Sequence, residues 1–219
     1  MHTECQAVLM DLDGVLVDSS EAIRRQWERW AEPHGIDVDA IMRVCHGRRA
    51  REIISIVAPD LNAEVEAQNY NEAEAQDMEG VRLVSGAKEL LVRMPSPHWA
   101  VVTSAVRPTA EARLQALGLP DPPVLITAED TDRGKPDPQC FLQAAIKLES
   151  KPELCVVFED APAGIEAAKA ASMQVVGVAT YRPAEELEKA GVDVVTPDLR
   201  DVRVEAIRMG DNRFMVRVG

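Results

Sequence analysis

No apolar run in the 219 residues approaches the ~18 needed to cross a bilayer. Residues 1–6 also lack the basic-then-apolar pattern of a signal peptide. The expectation is a soluble, cytoplasmic protein with no membrane partner. Cysteine is sparse: Cys5, Cys45, Cys140 and Cys155 are scattered, with no CxxC pair. That argues against a disulfide framework and suits a reducing compartment. Cys5 and Cys155 sit in or beside strand-like runs, where a free thiol behaves as a small hydrophobe. Basic residues are short as well. Lys and Arg total 24 against 37 Asp and Glu, a net charge of −13 at pH 7. Nucleic acid is therefore excluded as a partner, because its phosphates would be repelled. A small anionic substrate stays open, since a metal ion and one lysine reverse the sign locally. There is no internal repeat and no low-complexity tract. What remains is an ordinary globular composition, 46% hydrophobic, long enough for one large domain or a domain with an insertion.

The chain is organised around residues 7–18. Ala7–Met10 is a short apolar run without polar alternation, as in a strand buried on both faces. It stops at Asp11, and Asp13 follows. Extended residues at i and i+2 point the same way, so the two carboxylates share one small space. They repel unless a cation sits between them. Gly14 then allows a tight turn. An acidic turn after a strand would read the same, so the segment does not decide the matter alone.

Residues 21–79 carry almost no strand signal. Ser19 or Ser20 is the expected N-cap of a first helix. Ile23, Trp27 and Trp30-Ala31 recur at helical spacing, as do Ile53, Ile54 and Val57. These stripes are expected to form a small core of their own. Beyond residue 81 strands (99–102, 124–127, 154–158, 175–178 and 192–195) alternate with helices (87–94, 108–117, 138–148, 163–171 and 184–190). Such alternation means an α/β fold, a Rossmann-like parallel sheet core with helices on both faces. The expected organisation is a catalytic core of 1–16 and 81–219 with an inserted helical cap domain of 17–80. The tail, 202–218, reads as a hairpin turning at Gly210-Asp211-Asn212, packed on an edge and without chemistry.

Each apolar run of the core ends in polar groups: Asp11 after the first, Thr103-Ser104 after the second, Thr127 after the third, Glu159-Asp160 after the fourth. In an open parallel sheet these ends lie on one rim, where ligands bind. Between the third and fourth, Lys135 is framed by Gly134, Pro136 and Pro138, which hold it at a defined loop position. A solvated turn lysine would look similar, but the set together suits phosphoryl transfer. A carboxylate takes the phosphoryl group as an acyl phosphate, and Mg²⁺ holds Asp11 near Asp160 beside the phosphate. Thr103 donates its hydroxyl and Ser104 its backbone N–H to the phosphate. Lys135 supplies positive charge, and Asp13 is placed as acid and base.

Four segments in order resemble the motifs of the haloacid dehalogenase (HAD) superfamily: Asp11-Leu12-Asp13-Gly14-Val15, Val101-Val102-Thr103-Ser104, Lys135-Pro136-Asp137-Pro138 and Phe158-Glu159-Asp160-Ala161-Pro162. The resemblance covers essentially the whole chain and is closest to the sugar-phosphatase branch. It implies Asp11 as nucleophile and Asp13 as acid/base. It also implies a metal held by Asp11, the Asp13 carbonyl and Asp160, with Glu159 close by, and a cap closing over the site. A phosphosugar mutase of the β-phosphoglucomutase type is the enzymatic alternative. Those mutases carry a cap His where this chain has Ile23 and a cap Arg near Ala50, though Arg48 or Arg49 is a potential substitute. The non-enzyme alternative is a phospho-accepting signalling module, which needs neither a cap nor an acid like Asp13. Substrate contacts beyond the phosphate are expected from the cap: Glu21, Arg24, His46 and Arg48. The expected partner is a small phosphorylated sugar or polyol, and the expected state is a monomer.

Overall fold

The computed structural model describes residues 1–206 and 213–219. After strand β1 (His2–Cys5) comes β2 (Ala7–Met10), which is wholly buried. The ribbon strand β3 (Val17–Asp18) leads into four helices: α1 (Ser20–His34), α2 (Val38–Met42), α3 (Ala50–Val57) and α4 (Ala63–Glu74). The chain returns through β4 (Arg82–Leu83), antiparallel to β3, so both crossings to the helical block lie side by side. Then follow α5 (Ala87–Val92), β5 (Trp99–Val102), α6 (Arg107–Ala116), β6 (Val124–Ile126) and α7 (Gln139–Lys147). The core ends with β7 (Cys155–Glu159), α8 (Pro162–Ala170), β8 (Gln174–Val178), α9 (Ala184–Ala190) and β9 (Val194–Thr196).

Six strands form one parallel sheet in the order β6-β5-β2-β7-β8-β9. The alternation of side chains across the pleat divides β2 between two apolar layers. Val8 and Met10 pack on the side with Leu90, Leu91 and Leu114 of α5 and α6. Ala7 and Leu9 pack on the side with Phe141 of α7, Ile165 of α8 and Leu187 of α9. The helical block has a separate third cluster built on Trp27, Trp30, Ile53, Ile54 and Tyr70. Within it Trp27 stacks on Tyr70 at 4.0 Å between centroids and meets Trp30 edge-on. The stripes read from sequence do pack on one another.

Three differences from expectation are local. Ser19 occupies the N-cap of α1, but its side chain does not cap the helix; its Oγ donates to Asp13 Oδ1 at 2.6 Å instead. The third core strand stops at Ile126 rather than 127, because Asp130 takes both the Thr127 N–H and hydroxyl and draws that residue into a turn. The tail strands β10 (Val202–Ala206) and β11 (Phe214–Val218) do pair antiparallel. They do not stand alone, however: β1 adds to β11, giving a three-stranded sheet. Val202, Val204, Phe214, Val216 and Val218 are buried in the α5-side layer, which is the physical reason the segment folds against the core. The expected turn at Gly210-Asp211-Asn212 lies outside the described residues.

Candidate active site

Because β2, β5 and β7 are parallel neighbours, their C-terminal ends converge. Asp11, next after β2, donates its N–H to Phe158 O at 3.0 Å, which ties it to β7. The loop carrying Lys135 returns over these ends, and Lys135 is only 2% exposed. Its Nζ donates to Asp11 Oδ1 at 2.8 Å, Glu159 Oε1 at 2.5 Å and Val102 O at 3.3 Å. It also lies 5.2 Å from the Phe141 ring centre, a favourable cation–π placement. The other Glu159 oxygen accepts the N–H groups of Asp160 and Ala161 at 2.9 and 3.1 Å. Glu159 thus uses both oxygens to fix the lysine and the turn into α8.

Carboxylate oxygens of Asp11, Glu159 and Asp160 lie within 4.8 Å of one another, all buried. One ammonium faces three acids, so the cluster holds excess negative charge. Asp160 Oδ2 is buried without a hydrogen-bond partner, which is costly unless something else meets it. Gly14, at φ +87°, leaves the room, since a Cβ there would collide with the Asp160 carboxyl. These observations fit a divalent cation held by hard oxygen ligands. Without one, burial pushes the Asp160 carboxyl well above the usual carboxylate range, reinforced by Glu159 and Asp11. Burial raises Asp11 too, with Lys135 pulling the other way. Burial alone would lower the Lys135 ammonium, but Asp11 and Glu159 hold it well above its ordinary value.

Both carboxylate oxygens of Asp13 have partners outside the acidic cluster. Its Oδ2 accepts from Arg113 Nη1 at 2.7 Å, and its Oδ1 from Ser19. Thr103 is buried, and its Oγ1 accepts the Ala105 N–H at 3.0 Å, leaving the hydroxyl proton to donate. Ser104 Oγ donates across to Gly47 O at 2.9 Å, joining the rim to the helical block.

Asp11, Asp13, Thr103, Ser104, His46 and Arg48 line one cavity of about 70 Å³. It adjoins a groove of about 870 Å³, with which it shares Ala50, Asn71 and Ser104. Lys135 and Glu159 lie beneath this floor. Glu21 and Arg24 are not brought to the cavity. Glu21 pairs with Arg82 at 3.3 Å, and Arg24 bonds Glu28 and Asp39 on the surface. The His46 ring lies 5.0 Å from Tyr181. Burial and the nearby Arg182 push its pKa down to about 4, so it is neutral at neutral pH.

Four participants were not foreseen, Arg113, Glu74, Tyr181 and Glu52, and Arg49, named above only as a potential mutase arginine, joins them. Arg113 and Glu74 line the cavity and pair at 3.2 Å. The Tyr181 hydroxyl accepts the Ser19 N–H at 2.7 Å. Arg49 is buried against the loop after β6, donating to Thr131 O at 3.1 Å and to the Thr131 hydroxyl. Beside it, Glu52 accepts the Gly134 N–H at 3.1 Å. In sequence Arg113 and Glu74 sit in polar helical stretches that read as solvated faces, so no local signal marks them.

A doubly wound sheet whose central strands end in a buried, cation-ready carboxylate cluster defines the class: an enzyme with an acidic active site. The family model described as haloacid dehalogenase-like hydrolase matches residues 5–172. Hexitol phosphatase A of Escherichia coli is 37% identical, over 94% of this chain and 97% of its own length. Glycerol-1-phosphate phosphohydrolase 2 of Saccharomyces cerevisiae is 35% identical, over 93% of this chain and 86% of its own. The crystal structure of a hydrolase from Pseudomonas syringae matches with a TM-score of 0.81 at 27% identity, covering 89% of this chain and 94% of that one. The chain belongs to the haloacid dehalogenase-like hydrolases.

Proposed function

We propose that this protein is a Mg²⁺-dependent phosphatase of small sugar or polyol phosphates that works through an aspartyl phosphate on Asp11. The observation that carries the reading is the cluster of Asp11, Glu159 and Asp160 against one ammonium, with the Asp160 oxygen unmet. Asp11, Asp160 and the Asp13 carbonyl would hold the ion, with Glu159 beside them. When bound, Mg²⁺ offsets the negative charge of the site and lets an anionic phosphate approach. An Asp11 oxygen bonds to phosphorus as the ester P–O bond breaks. The leaving oxygen keeps that electron pair and takes a proton from Asp13. Water then attacks phosphorus and gives its proton to Asp13, and the Asp11–phosphorus bond breaks. Thr103 and the Ser104 N–H orient the phosphate oxygens, and Lys135 steadies Asp11.

The cavity is small beside the ~300–1,000 Å³ of usual ligand pockets. It therefore suits the phosphate and the first carbons, with the rest of a polyol extending toward the groove. His46 and Arg48 line the cavity roof and are assigned to the hydroxyls. The core spans 1–16 and 81–219 and the cap 17–80, divided near the paired crossings β3 and β4. A mutase reading is not better supported, although Arg48 stays in the cavity as a potential substitute for the mutase arginine. Ile23 and Ala50 line the cavity where a mutase would place its His and Arg, and Arg49 is taken by Thr131. The test is phosphate release from a panel of sugar and polyol phosphates, with and without Mg²⁺. Release that depends on Mg²⁺ and vanishes in Asp11→Asn is expected. Full activity in that variant, or with a chelator present, would overturn the reading.

A further inference from the structure

Arg113 is 1% exposed and is carried by α6, a helix of the core, beside the buried Ala110 and Leu114. Its guanidinium reaches two carboxylates from distant parts of the chain. Nη1 donates to Asp13 Oδ2 at 2.7 Å and Nη2 to Glu74 Oε1 at 3.2 Å, while Nε is buried without a partner. Asp13 belongs to the loop after β2. Glu74 is the last residue of α4 in the helical block, and the Tyr70 hydroxyl donates to the same Glu74 oxygen at 3.4 Å. Arg113, Asp13 and Glu74 all line the cavity.

Burying a cation between two acids costs several kcal/mol per ion of solvation, and a packed apolar trio is often at least as stable. Stability alone is therefore a weak reason for the arrangement. Geometry supplies a better one. The planar guanidinium fork presents separate N–H groups in fixed directions, so it sets where Asp13 stands relative to Glu74. On the other side of Asp13, the Ser19 hydroxyl fills the second oxygen. A hydroxyl is both donor and acceptor, so it serves Asp13 with or without a proton.

We infer that Arg113 is a positioning residue for Asp13, and that Glu74 makes this positioning depend on the cap being closed. The inference rests on the phosphatase reading with Asp13 as acid. The proton that Asp13 delivers goes to the oxygen whose bond to phosphorus breaks. A polyol alkoxide is a poor leaving group and needs that proton. A p-nitrophenolate leaves with its electron pair unaided. Loss of Arg113 is therefore selective for the leaving group, which a general loosening of the fold is not.

The experiment compares kcat/KM on a polyol phosphate (glycerol phosphate or a hexitol phosphate, whichever the wild type turns over) with kcat/KM on p-nitrophenyl phosphate. The variants are Arg113→Met, Arg113→Lys and Glu74→Gln, each with its melting temperature. Arg113→Met should lose about 10²-fold on the polyol phosphate, the lower range for a lost general acid, and less than about 5-fold on the aryl ester. Arg113→Lys, which keeps the charge but not the fork, should fall between the wild type and Arg113→Met. Glu74→Gln should show the same selectivity at about 10-fold. Equal losses on both substrates, or no loss, would overturn the inference, and Arg113→Lys and Glu74→Gln decide it if Arg113→Met does not fold. A wild type inactive on both esters would remove the phosphatase reading and this inference together. An active wild type whose variants keep its leaving-group preference removes the inference alone.

Discussion

On the floor of the site, Asp11, Lys135 and Glu159 are pinned by one another and by the backbone of adjacent strands. On the roof, His46 has a ring contact with Tyr181, and the Arg48 side chain has no ion-pair partner among the described residues. The floor is preorganised for one chemical group, as a site must be whose charges cost little to reorganise at the moment of reaction. The roof leaves side-chain donors unspent, as a surface does when it is to meet hydroxyl groups of differing number and placement. Between the two regions lie a few specific ties: Ser104 to Gly47, Arg49 to Thr131, Glu52 to Gly134 and Glu74 to Arg113. On the proposed reading, reaction type belongs to the floor and substrate choice to the roof.

That division is broken or sharpened by substitution on either side. The largest effect is expected from Asp11→Asn, with turnover down by about 10⁴-fold or more, the scale seen when a nucleophile is removed. A phosphate-release assay checks this, and a residual rate within tenfold of wild type would move the chemistry elsewhere. Lys135→Met strands two buried acids. It should cost about 3–5 kcal/mol in denaturant unfolding and about 10²–10³-fold in kcat. Mg²⁺ at about 100 times its Kd should stabilise the wild type by about 2.7 kcal/mol. That is a rise in Tm of several degrees, absent in Asp160→Ala, which thermal melting reads without any assay of activity. Arg48→Ala should raise KM about tenfold, the worth of one lost charge-assisted hydrogen bond, with kcat within threefold. An equal fall in kcat would place Arg48 with the floor.

The smallest effect concerns the framework of the roof. Asp77 accepts from Arg25, from Gln26 and from the Glu79 N–H. The bond from Arg25 leads in holding its carboxyl down, at about 2. The ionised form is thus favoured in the folded state. Its stabilisation is complete above the ordinary carboxylate pKa of about 4 and is lost as pH falls through about 2. Discounted for screening near the surface, Asp77→Asn should cost about 1 kcal/mol at pH 7. That difference should close below pH 2, as denaturant titrations at the two pH values would record.

The legible parts of the molecule were those with a local cause. Ala7–Met10 reads as a buried strand because it has no polar alternation, and it lies at the centre of the parallel sheet. The acids and hydroxyls after each core strand share one rim because parallel strands end together. Lys135 was marked by the prolines around it. The cap residues were harder. Glu21 and Arg24 flank Ala22, which is buried, and Ile23, which lines the cavity, yet they point to Arg82 and to Asp39. Helical spacing locates a face, but which face meets the rim depends on how the block is set down upon the core.

By itself the amino-acid sequence did not mark the short strands β1, β3 and β4, but it determined the alternation of strands and helices in the core, the burial of its first strand, and the set of groups at its rim. Each of these follows from periodicity and from where apolar runs stop, which neighbouring residues decide. Tertiary structure alone decided that Asp13 turns to an arginine 100 residues away, and that the same arginine meets Glu74, 39 residues away, from the other side. Ala110 and Leu114 mark a buried face of α6 beside Arg113, but no residue near it in the chain is its charge partner. Its two partners come from two other segments, and only the docking of the helical block on the sheet brings their charges to one place.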